Sequence, residues 1–422
     1  MQGQAPRRPD AGGSPGTFAV VEASCHRRLE DIAAVRRFFV ANGWREALRI
    51  DVADVVVYIA CGGFRINVDE ALLLIGATRA RMKNGATLIV GGCLPHTDAE
   101  ALRTIFTGPT LTYTDATALD NLPGVVTPFG TLPPPYGESA VCDRSLAPPP
   151  RPGGGLRGWA GSTLRRVAMR VWPTPAGRHA AFALRERERV VISIGAGCSR
   201  ACTYCAKRFA RGSVRSKPID VVVRQIADAA ALGYRRFDLY ADSIGEYGRD
   251  LGTDLTALLE RVAAATGPRV SVGLYDLHPE DFIRHFGSIL ALSRAGQLHY
   301  LYVVTESGSE RVLSSMGRLV DTSELVRRLL EVRGNQRLFM QSAIIVGYPG
   351  ETDDEFEETV ALLERVGFDH VHVHCYCDMP NTESSRLGGK TPREVMARRL
   401  RRMGATGIRH TPAEALRELD HA

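Results

Sequence analysis

Three cysteines stand within eight residues near the middle of the chain, in the run GCSRACTYC. They are Cys198, Cys202 and Cys205, at the spacing C-x3-C-x2-C. Three thiolates on one tight loop can bind three irons of a [4Fe–4S] cube and leave the fourth iron free to chelate a substrate or cofactor. A structural zinc site would need four ligands at paired spacing, and no fourth candidate lies nearby in the sequence. The run therefore predicts an iron–sulfur cluster with an open iron.

Three further cysteines, Cys25, Cys61 and Cys93, are separated by 36 and 32 residues, and each follows an apolar run typical of a buried strand. The carboxyl ends of neighbouring parallel strands lie along one edge of a sheet, where ligands bind in open α/β folds. We therefore expect these three cysteines to converge on a second metal site.

The remaining cysteines are interpreted differently. Cys375 and Cys377 look like another cluster motif but are more typical of buried packing residues, and Cys142 is interpreted as incidental. An odd total of nine cysteines argues against a disulfide framework.

The run HVHVHCYCD has the alternation of a strand from His370 to Asp378. Its apolar and cysteine residues would pack against helices, and its polar row would face the interior of the domain. That row comprises His370, His372, His374, Tyr376 and Asp378. Those nearest the end of the strand, His374, Tyr376 and Asp378, are candidate substrate contacts; the alternative is interior polar groups satisfied by their neighbours.

Strands alternate with helices in two regions, which predicts an α/β fold with parallel sheets in both. Residues 17–130 are predicted to form an N-terminal parallel α/β domain. Residues 186–388 contain six βα-like units, which suit a partial (β/α)6 barrel with its active site at the carboxyl ends of the strands. The other segments are predicted to be a flexible arm at 1–16, a Pro/Gly/Arg-rich connector at 131–185 and a short, basic helical tail at 389–422.

The composition is that of an ordinary globular protein, with 422 residues, 44% hydrophobic and 24% charged. This excludes a disordered or collagen-like chain. No run approaches the roughly 18 apolar residues of a membrane helix, and the first residues lack the apolar core of a secretory signal. We expect a cytoplasmic protein without a membrane partner.

The net charge of +6 is unevenly distributed. The segment Arg144–Arg178 contains seven arginines and no acid, and Lys390–His410 contains seven Lys or Arg and one Glu. Such segments could contact phosphates. They could equally be solvated, because 49 of the 53 basic residues are Arg, a bias typical of a GC-rich genome. Nucleic acid is therefore a possible partner that this signal does not favour.

The run GCSRACTYCAKRFARG resembles the signature of the radical S-adenosylmethionine (SAM) superfamily, which has this cysteine spacing with an aromatic residue before the third cysteine. The chain further resembles the methylthiotransferases, whose N-terminal domain has three cysteines at strand ends, in the order and approximate spacing of Cys25, Cys61 and Cys93. The runs LYADSIGEYGRD, ESGSERVLSSMGR and IIVGYPGETDDEFEETV fit the same family, and the resemblance covers roughly residues 17–388.

The resemblance implies two [4Fe–4S] clusters and SAM as cofactors. The cluster at Cys198, Cys202 and Cys205 would bind SAM and cleave it reductively, with Tyr204 near the adenine and an external electron donor of the flavodoxin or ferredoxin type. The auxiliary cluster would receive, carry or supply sulfur. The strand-end residues implied to line the SAM pocket are Tyr240, Asp242, Ser243, Glu306, Ser307, Ser309, Ile345 and Gly347. Glu306, His374 and Tyr376 are also candidate catalytic residues.

Three positions depart from the family pattern. Cys25 is followed by His26, Arg27 and Arg28 instead of small and Asn-containing neighbours, and Cys61 is followed by two glycines. The auxiliary site is therefore expected to be built or tuned differently. Glu306 stands where the family commonly has Gln, so that a carboxylate would lie near the SAM or substrate pocket, the alternative being a surface carboxylate.

These observations predict a two-cluster radical SAM enzyme that inserts sulfur, as methylthio or sulfide, at an unactivated C–H or ring carbon. Family members that act on RNA end in a small β-barrel, which needs roughly 50 residues. Only 35 follow Leu387, and these are helix-like. A small molecule or peptide of specialised metabolism is therefore the expected substrate.

Three alternatives remain open at this point. The first is a methylthiotransferase of tRNA or ribosomal protein. The second is a radical SAM enzyme whose auxiliary cluster transfers electrons or ligates the substrate. The third is a non-catalytic nucleic-acid-binding iron–sulfur protein.

Overall fold

The computed structural model describes residues 15–23, 29–132, 189–410 and 412–419. The chain divides into two compact units, residues 1–135 and 136–422. Most of the predicted arm and connector lies outside the described residues, as do Cys25 and Cys142.

The first unit contains a parallel sheet with the strand order β2-β1-β3-β4-β5. Its strands are β1 (Thr17–Ala23), β2 (Arg45–Glu46), β3 (Val55–Ala60), β4 (Thr87–Gly92) and β5 (Thr110–Leu111). Its helices are α1 (Leu29–Ala41), α2 (Arg65–Arg81), α3 (Leu94–Thr97), α4 (Ala99–Ile105) and α5 (Thr117–Asp120). Every residue of β3 is buried, as expected for the Val-rich centre of a sheet that is covered on both faces.

The second unit contains a six-stranded parallel sheet with the order β6-β9-β10-β11-β12-β13. Its strands are β6 (Arg189–Ser193), β9 (Arg236–Tyr240), β10 (Ser271–Leu277), β11 (Leu298–Glu306), β12 (Phe339–Val346) and β13 (His370–Cys375). A short antiparallel pair, β7 (Gly195–Ala196) and β8 (Arg215–Ser216), follows β6. The predicted α/β class with six βα units is confirmed.

Helices connect these strands and continue beyond them. They are α6 (Ile219–Ala231), α7 (Leu255–Thr266), α8 (Pro279–Arg284), α9 (Phe286–Arg294), α10 (Glu310–Ser315), α11 (Thr322–Arg333), α12 (Asp353–Val366), α13 (Arg393–Ala405) and α14 (Pro412–Leu419). Helix α12 shows how local sequence sets a boundary: Thr352 and Glu355 form a capping box at its start, and Gly367 ends it at a φ of 67°. No helix in the described ranges is long and apolar enough to cross a membrane.

The strand predicted from His370 to Asp378 ends earlier, at Cys375. The chain turns there because the Tyr376 ring enters the main core, where it packs edge-on against Tyr348 at 5.6 Å. The free edge of β13 is covered by the tail, since Val371 N–H donates to the carbonyl of Arg409. Covering an edge strand in this way removes an exposed row of backbone groups that would otherwise promote aggregation.

Candidate active site

The loop carrying Cys198, Cys202 and Cys205 is held by groups at the carboxyl ends of several strands. Asp242 Oδ2, after β9, accepts from Gly197 N–H at 2.9 Å, and Glu246 Oε2 accepts from Ser199 N–H at 3.0 Å. Thr203 N–H donates to the carbonyl of Met316, after α10. Gly197 has a φ of 88°, and a Cβ there would lie 1.9 Å from the Ser213 carbonyl oxygen. The loop is therefore held by residues at the carboxyl ends of the strands. It also depends on Gly197, whose conformation and close contact only glycine allows.

The three thiols suit a cluster better than free cysteines. Burial raises the pKa of Cys198 to about 12 and also raises the pKa of Cys205, so thiolates here need nearby positive charge. The backbone N–H of Arg200 opposes this rise in the pKa of Cys198, and hydrogen bonds to cluster sulfurs are one means of tuning a cluster. No three His, Cys, Asp or Glu side chains among the described residues converge on a single metal ion. A cube is bound differently, with each cysteine on a different iron.

Tyr204 and Glu306 are brought together beside this loop. The Tyr204 hydroxyl donates to Glu306 Oε1 at 2.7 Å, and Arg318 Nη2 donates to the same hydroxyl at 2.6 Å and to Glu306 Oε1 at 3.2 Å. Glu306 is only 6% exposed, which excludes the alternative of a surface carboxylate. Its φ of 63° puts a non-glycine residue in the left-handed region, a strain that is often found at functional sites.

Buried donors next to the triad lack acceptors. The Nε atoms of Arg200 and Arg318 and the Nε2 atom of His278 have no hydrogen-bond partner in the part of the chain described. Burial and the neighbouring guanidinium groups lower the pKa of His278 far below its usual range, so the ring is neutral. Its Nδ1 accepts from Glu280 N–H, which leaves the proton on Nε2. Unsatisfied donors suit an acceptor-rich group such as cluster sulfide or the carboxylate of SAM.

The other residues predicted to line the SAM pocket all lie at carboxyl ends of strands, but several are engaged elsewhere. The Ser307 hydroxyl is hydrogen-bonded to Thr359 of α12 at 3.2 Å, and Ser309 Oγ donates to Glu355 of α12 at 3.2 Å, so both hydroxyls attach this loop to the helix layer. Asp242 also pairs with Arg211 at 3.1 Å. Ser243 is buried at the start of a 3-10 turn. Their predicted contact with SAM stays a prediction.

The remaining three of that set occupy distinct surroundings. The Tyr240 ring stacks on Tyr275 at 4.2 Å, in a row of aromatic rings that continues to Tyr300. Ile345 is buried in the main core. Gly347 has a φ of 85°, and its N–H donates to Glu351 Oε2 at 2.8 Å.

The polar row of β13 separates into two environments. Val371 and Val373 belong to the main core, so the three histidines face away from it, and His372 lies 5.8 Å from the ring of Tyr302. His374 Nδ1 forms a hydrogen bond with Glu418 Oε1 of α14 at 2.9 Å. The remaining two residues lie past the strand and face each other, because the Tyr376 hydroxyl donates to Asp378 at 2.8 Å. The structure therefore does not bring Tyr376 into one row with His374.

Cys375 is buried with Met396 and Leu419, which agrees with its interpretation as a packing residue.

In the first unit, Cys61 and Cys93 directly follow the neighbouring strands β3 and β4. Cys61 N–H donates to Ala23, the last residue of β1, and Cys93 N–H donates to Ala60. A Cβ at Gly62 would lie 2.2 Å from Thr97 Oγ1, which explains one of the two glycines after Cys61. Cys25 follows β1 by two residues and lies outside the described residues.

Sequence reasoning missed Arg318, His278 and Arg200. His278 directly follows β10, so its position at a strand end was a usable signal. Arg318 and Arg200 lie within the quoted runs ESGSERVLSSMGR and GCSRACTYC, but these runs did not indicate their partners, because Tyr204 and Asp281 lie 114 and 81 residues away.

Residues 192–363 match the model of the radical SAM superfamily. The chain is 34% identical over 218 residues to the threonylcarbamoyladenosine tRNA methylthiotransferase MtaB of Thermotoga maritima, a match that spans 51% of this chain and 50% of that protein. It is 25% identical over 405 residues to the tRNA-2-methylthio-N(6)-dimethylallyladenosine synthase of Staphylococcus aureus, covering 93% of this chain and 71% of that protein.

Among solved structures, the radical SAM methyltransferase TsrM of Kitasatospora setae, with cobalamin and a [4Fe–4S] cluster bound, aligns with a TM-score of 0.56 at 14% identity. That alignment covers 87% of this chain and 76% of TsrM. The cobalamin-dependent enzyme OxsB aligns with a TM-score of 0.52 at 11% identity, covering 94% of this chain and 57% of OxsB. At these identities the likeness concerns the fold.

Proposed function

Because the chain contains a radical SAM domain and is homologous to methylthiotransferases, we propose that it is a radical SAM enzyme that inserts sulfur into its substrate with the help of an auxiliary cluster. The observation that carries the proposal is the position of Cys61 and Cys93 at the carboxyl ends of adjacent parallel strands. Cys25 is the third member of the proposed triad. It lies two residues beyond the end of β1, which pairs with β3 on the side opposite β4.

The cluster and SAM, when bound, supply the reductive cleavage that starts radical chemistry at an unactivated carbon. The residues of the chain then have three tasks. Cys198, Cys202 and Cys205 hold the cluster and leave one iron open. Buried donors at Arg200, His278 and Arg318 are available to orient acceptor groups. The burial of residues such as Glu306 and Arg318 limits access by water, which would quench a radical or compete for the open iron.

The proposed substrate is a small molecule or peptide. Three of the five arginines of α13 support this, because they are engaged within the protein. Arg399 pairs with Glu351 at 2.7 Å, and Arg398 and Arg402 pair with Asp353 and Glu357. Part of the positive charge of the tail is thus balanced by α12 and its N-terminal loop. A second candidate is tRNA, favoured by the names of the two relatives.

Anaerobic turnover with SAM, dithionite and sulfide tests the proposal. Three substrate pools are compared by mass spectrometry: bulk tRNA, a peptide digest and a metabolite extract. A mass gain of sulfur or methylthio in the peptide or metabolite pool supports it, and methylthio-nucleosides in the tRNA pool support the second candidate. Methyl transfer without sulfur in every pool would refute both. A variant with Cys25, Cys61 and Cys93 all changed to Ala is the matched control, since it should cleave SAM without adding sulfur.

A further inference from the structure

Arg318 lies between a buried carboxylate and the loop that carries the cluster ligands. Its Nη1 donates to the carbonyl of Val304 at 2.6 Å and its Nη2 contacts Tyr204 and Glu306, so the guanidinium is fixed from two sides. Its positive charge is also close enough to the Cys202 thiol to interact with it electrostatically. Arg318 is 5% exposed and Glu306 is 6% exposed, so both charges act with little screening by water.

The backbone holds this arrangement against the cysteine loop. Thr203 N–H donates to Met316, and a Cβ on Gly317 would lie 3.0 Å from the Ala201 carbonyl oxygen. The segment from Met316 to Arg318 therefore lies directly on the cysteine loop. The charge of Arg318 is therefore held at a fixed place beside Cys202, since a Cβ on Gly317 would lie 3.7 Å from Cys202 Cα.

We propose that Arg318 and Glu306 are positioning residues that set the reduction potential of the cluster at Cys198, Cys202 and Cys205, with opposite signs. Reduction adds one electron, delivered by an external one-electron donor, and makes the cluster more negative. The positive charge of Arg318 near Cys202 stabilises that reduced form and raises the potential. The negative charge of Glu306 destabilises it and lowers the potential. The inference rests on the cluster of the radical SAM domain and not on sulfur transfer.

The test is an anaerobic redox titration of the reconstituted protein, followed by electron paramagnetic resonance, without substrate. It uses a background in which Cys25, Cys61 and Cys93 are Ala, so that one cluster reports. Arg318→Gln should lower the midpoint potential by an amount equal to a roughly ten-fold change in the reduction equilibrium, about 59 mV for one electron. Glu306→Gln should raise the midpoint potential, because the amide keeps the shape of the side chain and removes its charge. The rise should correspond to a change of about three-fold in the reduction equilibrium.

Arg333→Gln is the matched control, since Arg333 is also a largely enclosed arginine of this unit, with its side chain 11% exposed, and pairs with Asp369 away from the cysteine loop. Its potential should equal that of the parent. Shifts of the same sign in the Arg318 and Glu306 variants, or shifts no larger than the control's, would overturn the proposal. If Arg318→Gln fails to bind iron, the isosteric Glu306→Gln decides alone: a raised potential supports the proposal, and an unchanged or lowered one overturns it.

Discussion

At the scale of single residues, the protonation of the Glu351 carboxyl bears on the contact that holds the tail. Glu351 makes this contact with Arg399 of α13. It is 7% exposed and accepts from Gly347 N–H and from Arg399. Burial raises its pKa from 4.5 to about 7, outweighing the opposite effect of Arg399. The folded protein therefore holds this proton more tightly than the unfolded chain. This difference in proton binding adds to the free energy of unfolding. The contribution is fully present below pH 4.5 and is lost as the pH rises to about 7.

Glu351→Gln keeps both acceptor contacts and removes the titration. We expect the wild type to lose stability relative to this variant between pH 5 and pH 7, by roughly 1–3 kcal/mol, since one pKa unit is worth about 1.4 kcal/mol. Urea unfolding midpoints at pH 5, 6 and 7 measure the difference. Glu357→Gln, at the exposed pair with Arg402, is the control and should show no such trend. Parallel pH curves for wild type and Glu351→Gln would contradict the assignment.

At the scale of elements, the end of β4 determines where Cys93 lies. Gly92 has a φ of 92°, and a Cβ there would stand 2.3 Å from the Ala60 carbonyl oxygen of β3. Gly92→Ala should therefore push the two strand ends apart and misplace Cys93. Gly85 has a similar φ of 80° with nothing within 4 Å, so Gly85→Ala should cost only the backbone strain, about 1 kcal/mol.

Iron content distinguishes the two glycine variants. In a background lacking Cys198, Cys202 and Cys205, Gly92→Ala should reduce bound iron from about four per chain towards zero, on the reasoning that a cube needs all three cysteines. Gly85→Ala should retain it. Equal iron in the two variants would show that this strand end does not position the auxiliary site.

The individual strands and loops show how much of the fold could be predicted from the sequence. The strands β3, β12 and β13 were identifiable because burial and alternation are local properties of a few consecutive residues. Both proposed cysteine triads rest on spacing and on position after strands, and they stay predictions. The contact of Arg318 with Tyr204 was not predictable, because it joins loops 114 residues apart. The end of β13 was missed because the alternating pattern continues to Asp378 while Tyr376 turns into the core.

At the scale of the whole molecule, we propose one cluster in each unit, 1–135 and 136–422. Each unit has its own buried core, so the loss of one cluster should leave the other unit folded. Changing Cys198, Cys202 and Cys205 to Ala should abolish formation of 5′-deoxyadenosine from SAM. Cys377→Ala is the control, since Cys377 lies outside both triads, and it should leave that formation intact. Formation of 5′-deoxyadenosine by the triple variant would refute the assignment of the triad.

The iron content per chain after anaerobic reconstitution tests the central claim most directly. Wild type should bind about eight irons, and each triple-alanine variant should bind about four, because each triad would hold one four-iron cube. Circular dichroism of each variant checks that both units remain folded. If the variant of Cys25, Cys61 and Cys93 bound as much iron as wild type, the first unit would hold no cluster, and the proposed sulfur transfer would be contradicted.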